Sequence, residues 1–198
     1  MTKFTLQLDY DQSIESPCEW DGWKFYSFNS RHTNYRNINE FLFPSFDEKV
    51  KGKNIGIQRK LDVGTAFLVS CYEHSGIVYS LKGEGMQCQW DTTGIAGILV
   101  WEHSPNDMGA KTYAERQEDA RKFLEVYNSW CNGQCFGYTI EKMEKCPTCN
   151  EEKGELIDSC GGFIGYECLK QILKEEHPEL FVDEVELKVT GDAAWTME

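Results

Sequence analysis

Apolar side chains recur at every second position near the start of the chain. In KFTLQLDY, residues 3–10, Phe4, Leu6 and Leu8 fall on one face and polar groups on the other. That period is the signature of a half-buried strand. The stretch from Asp9 to Pro17 breaks it. Trp20, Trp23, Phe25, Tyr26 and Phe28 then follow closely, and such residues favour extended backbone, which predicts a second strand. Residues 29–40, NSRHTNYRNINE, have the Asn-rich chemistry of a loop. From Thr65 two apolar runs separated by Glu73-His74-Ser75-Gly76 read as a hairpin, and Ile95 to Trp101 reads as a further strand.

The period changes at Thr112. Thr112-Tyr-Ala-Glu115 is a capping box, in which the threonine hydroxyl takes an amide proton of the first turn and the glutamate reaches back. Tyr113, Ala120, Phe123, Leu124, Tyr127 and Cys131 recur near 3.6 residues until Asn132-Gly133 supplies a stop, so the spacing predicts a helix over 112–131. Cys135 to Lys145 alternates through Phe136, Tyr138 and Ile140 as a strand. A shorter helix is expected over 166–176, ending before His177-Pro178, and a last strand near 184–190. The pattern predicts an α+β fold: an antiparallel sheet packed by one long helix and a shorter one, with a zinc-knuckle-like hairpin as an appendage. In this reading residues 1–145 form the core, and residues 146–198 form a cysteine-rich hairpin, short helix and acidic tail packed on the same domain.

Charge narrows the partners. The 33 acidic against 20 basic side chains leave a net charge of −13. Binding a phosphate backbone or an anionic membrane requires clustered Lys and Arg, so direct contact with either is not expected. An acidic face suits either solubility or a basic groove on another protein. No window approaches 18 consecutive apolar residues, and the opening MTKFTLQLDY carries no basic flank followed by an apolar run, so a cytoplasmic location is expected. A reducing cytoplasm leaves the nine cysteines to metal binding or burial rather than to disulfides.

Four of those cysteines lie between residues 146 and 168, in CPTCNEEKGELIDSCGGFIGYEC. Two residues between Cys146 and Cys149 let both sulfurs converge on one ion, and zinc is the metal such a spacing suits. Cys160 and Cys168 complete a four-cysteine structural site if 150–160 doubles back, with Lys153-Gly154 as the turn. In a competing arrangement Cys160 is a core residue, and Cys131, Cys135 or His177 joins the first pair. A thioredoxin-like redox role would need the motif at a helix start, whereas Pro147 sits in a turn. Catalysis is weakly signalled. His74 near Cys71 or Cys88 is the one thiol and imidazole combination to consider, and no phosphate loop, nucleophile elbow or HExxH helix is present. The six tryptophans lie mostly at strand-like positions, which favours core packing over base stacking.

Five phrases span nearly the whole chain: ESPCEWD at 15–21, EHSGI at 73–77, CQWDTTGIAG at 88–97, YNSWCNGQCFGYTIE at 127–141 and DSCGGFIG at 158–165. Together they resemble a family of small acidic proteins encoded by bacteriophages and mobile elements. The resemblance implies a non-enzymatic inhibitor of host defence, of the anti-restriction or anti-CRISPR kind. It would act in the host cytoplasm by binding a protein with a basic surface, such as an RNA-guided CRISPR nuclease.

Overall fold

The structure, a computed structural model, describes residues 2–38 and 53–197. Among the described residues there are eight strands, β1 (Thr2–Tyr10), β2 (Trp23–Ser27), β3 (Ala66–Glu73), β4 (Ile77–Leu81), β5 (Thr92–Trp101), β6 (Cys135–Lys145), β7 (Glu152–Ile164) and β8 (Val185–Thr190). The same residues hold three α-helices, α1 (Lys53–Asp62), α2 (Tyr113–Cys131) and α3 (Tyr166–Glu176). The fold is α+β, as the pattern predicts. The strands divide between two four-stranded sheets, ordered β7-β6-β1-β8 and β2-β5-β3-β4, where one sheet was expected. The chain forms two compact units, one of residues 1–15 with 129–198 and the other of residues 16–128.

In the unit of residues 16–128 every strand pair is antiparallel. Alternation sorts each strand into two faces. Trp23, Phe25 and Phe67 meet α2, where Tyr127 lies 5.3 Å from Phe25, Tyr113 lies 5.6 Å from Phe67, and the Trp23 indole donates to Asp119 at 2.8 Å. Ala66, Leu68, Ile98 and Val100 form the opposite face, against Ile57 and Leu61 of α1. The capping box is fully made: Glu115 donates its amide to the Thr112 hydroxyl at 3.2 Å, and the Glu115 carboxylate accepts from the Thr112 amide at 2.9 Å. Gly97 is required where β5 passes β2, because a Cβ there would meet the Tyr26 carbonyl at 2.6 Å.

The other unit is built around β6. It pairs antiparallel with β1 on one side and β7 on the other, and β8 adds to β1 in parallel. Phe4, Leu6 and Leu8 stand beside Phe136, Tyr138 and Ile140, and Leu169, Leu173 and Leu180 cover them. The sheet thus buries one face under α3. Its other face, with Thr5, Gln7 and Thr139, is polar. The cysteine-bearing hairpin is no appendage, since β7 runs as an outer strand of this sheet along nearly all of β6. Lys153 and Gly154 lie within β7, opposite Glu144 and Met143, and the turn falls earlier, at 146–151. Of the expected loop at 29–40, Asn39 and Glu40 lie outside the described residues.

Ile140 is fully buried at the centre of this cluster. Replacing Ile140 by Ala is expected to lower stability by about 2–5 kcal/mol, since the vacated volume relaxes only in part. Urea denaturation checks this, and an unchanged midpoint would contradict the packing described.

Candidate functional site

The β6–β7 turn brings Cys146 and Cys149 together. The Cys146 amide donates to the Glu151 carbonyl at 2.8 Å, and the Asn150 amide donates to the Cys146 carbonyl at 2.9 Å. Asn150 occupies the left-handed region at φ 59°, which lets the chain reverse directly after Cys149. Amides of Cys149 and Thr148 point at the Cys146 sulfur, and the Cys149 thiol and Thr148 hydroxyl contact it as well. These donors stabilise the thiolate and push Cys146 down to about 7. Cys149 is exposed, and its sulfur also lies 3.6 Å from the Glu151 carboxylate, which competes for the one thiol proton.

The remaining expected ligands stand elsewhere. Cys160 pairs with Tyr138, seven residues up the ladder from Lys145, or about 24 Å from the turn at ~3.4 Å per residue. Doubling back therefore carries Cys160 away from the first pair. Cys168 lies near the start of α3, which follows the far end of β7, and is exposed. Cys135 opens β6 opposite Ile164, about 34 Å from the turn by the same rise, and Cys131 closes α2 before it. Among the described residues no group of three or more His, Cys, Asp and Glu side chains is placed to hold a metal ion. The four-thiol set of Cys146, Cys149, Cys160 and Cys168 is not assembled within one chain.

His177 is committed to a different network. At 9% exposure, it caps the C-terminus of α3 with Nε2 2.9 Å from Asp158 Oδ2 and Nδ1 3.3 Å from Glu179 Oε1. The Tyr138 hydroxyl donates to the same Asp158 oxygen at 2.7 Å. Burial, then the bond to Asp158, pushes the Tyr138 phenol up, while Tyr138, His177 and the Ser159 amide hold the Asp158 carboxyl below its usual range. The network ties β6, β7 and the end of α3 together.

The thiol and imidazole combination is arranged unfavourably for catalysis. Cys71 is buried, with its thiol 3.7 Å from Glu73 Oε1. Asp91 Oδ2 takes the Cys88 thiol at 3.5 Å and His74 Nδ1 at 3.4 Å, so a carboxylate contacts both groups. Imidazole is the usual base for a cysteine nucleophile, and here both groups are turned to the Asp91 carboxylate. A cleft of about 210 Å³ opens beside Cys71 and Tyr79. Of the tryptophans assigned to core packing, Trp23 is buried, but Trp90 is 87% exposed. Trp90 shares the β4–β5 connection with Met86, which is 63% exposed. The signal for this was present in the sequence, since Trp90 interrupts a polar stretch that has no strand period.

Comparison with protein families, curated proteins and solved structures yields no match. Among the described residues no helix is long and apolar enough to cross a membrane.

The depressed Asp158 carboxyl gives a pH dependence of definite sign. Its pairing contributes stability above the ordinary carboxylate range and loses it as pH falls through the lowered folded value, below about 4. The stability difference between wild type and Asp158→Asn should therefore shrink on acidification. Urea midpoints across that range check this, and a difference that stays constant would contradict it.

Proposed function

We propose that this chain is an inhibitor encoded by a bacteriophage or mobile element. It binds a host defence protein with a basic surface, and the resemblance to phage-encoded acidic proteins points to an RNA-guided CRISPR nuclease as the class of partner. Inhibition is steric: the bound protein occludes a basic channel or holds a lobe that must move. The net charge of −13 supports this reading because it steers the molecule toward a positive surface and away from nucleic acid.

The observation that carries the proposal is the Trp90 loop. The loop is ordered by its own bonds: Cys88 donates its amide to Thr92 Oγ1 at 2.9 Å, Thr92 returns its amide to the Cys88 carbonyl at 3.0 Å, and the Gln87 side chain donates to the Glu84 carbonyl at 2.8 Å. A large indole is thus held in water by a structured turn, with Met86 exposed on the same loop. Exposed Trp and Met on an ordered loop are the residue types that anchor protein interfaces.

Capture from host lysate at low and high salt tests the reading. The expected result is a basic, nucleic-acid-handling protein that binds wild type, with Trp90→Ala weakening the complex at least tenfold at unchanged thermal stability. Reversing the exposed carboxylates Glu175, Glu176, Asp183 and Glu184 to Lys should slow association. Recovery of no such protein would overturn the proposal, and equal binding by Trp90→Ala would remove the loop from the contact surface.

A further inference from the structure

We propose that Cys146 and Cys149 are half of a zinc site, and that the same pair on a second copy of the chain supplies the other half. The inference is independent of the binding reading above.

The turn has the features of a metal knuckle. Its two thiols touch, with two amides directed at one of the sulfurs. The left-handed Asn150 and the Cys146–Glu151 bond fix the reversal without using either thiol. Amide donors aimed at a sulfur compensate the negative charge that a thiolate brings to a metal. Pro147 and Thr148, between the two cysteines, are both exposed, so the tip is open to a second molecule.

A structural zinc site is closed by four ligands, and thiolates are the preferred donors. This turn offers two. The ladder register holds Cys160 and Cys135 far up the hairpin, and His177 is bound to Asp158 and Glu179. Residues 39–52, outside the described part, contain neither Cys nor His. A second copy brings two further thiols in the same turn, which completes a four-sulfur set around one ion. Binding releases the thiol protons to solvent as each sulfur becomes a thiolate ligand.

Charge disfavours association of two copies without the metal. Two chains at −13 each repel, and screening beyond about 8 Å at physiological ionic strength weakens that repulsion without reversing it. Near the thiols Lys145 and Lys153 stand among Glu144, Glu151 and Glu152, so the tip itself offers no strong attraction between copies. Dimers should form only with the ion in place. Glu151 also touches the pair, its carboxylate 3.6 Å from the Cys149 thiol, and that is a contact the metal would replace.

Native mass spectrometry and light scattering of the reduced full chain, with zinc alone added and then chelated, test the proposal. The expected result is one zinc per two chains, a dimer with zinc and a monomer after chelation. Cys146→Ser and Cys149→Ser should each lose both metal and dimer, with thermal unfolding confirming that the variants fold. Cys160→Ser, Cys168→Ser and Glu151→Gln should keep both. One zinc per monomer, loss of zinc in Cys160→Ser or Glu151→Gln, no zinc at all, or a dimer that survives chelation would each overturn the proposal.

Discussion

Strand β6 is paired on both sides along almost its whole length, and most of what surrounds it follows from that constraint. Its eleven residues accept β1 on one edge and β7 on the other. Every second side chain is forced to the same face, where Phe136, Tyr138 and Ile140 meet the leucines of β1 and α3. Because the side-chain period is two, a slip of one residue would move that whole set to the polar face. The register is therefore specified by burial. It also fixes which groups can act together.

Two sites show the consequence. The turn at the end of the ladder gathers Cys146 and Cys149, and the ladder holds Cys160 opposite Tyr138, well removed from them. Farther along, the same register places Asp158 opposite Ile140, where its carboxylate reaches both the Tyr138 phenol and the His177 ring. A histidine that spacing alone offered as a metal ligand thus serves to fasten the end of α3. The network is fully partnered, as a buried imidazole requires.

Much of the fold could be read from local pattern. KFTLQLDY becomes β1, the capping box at Thr112 starts α2, and the break at His177-Pro178 ends α3, because each signal depends on neighbours a few residues apart. Nonlocal features were hidden. Nothing in VELKVT announces a parallel partner for β1, and nothing in the strands says that they divide between two sheets. Helix α1, KNIGIQRKLD, carries Gly56 and a mostly polar sequence, and its helical state depends on packing of Ile57 and Leu61 against the sheet. Lys153-Gly154 resembled a turn by composition, yet the CPTCN segment reverses the chain first. Of the candidate thiols, the pair with two residues between them was legible, whereas joining it to Cys160 required a loop folded back locally, which the long ladder does not allow. Trp90 stands in water although large hydrophobic residues are inside on average, because its loop carries no strand period that would turn it to a core.

The β6–β7 register is measured most directly by the cross-strand proton contacts in a nuclear Overhauser spectrum of the reduced protein. The register predicts contacts linking Thr139 with Ser159, Lys142 with Glu155 and Met143 with Gly154. Contacts joining Cys160 to Cys146 or Cys149 would contradict it, and would restore a metal site closed within a single chain.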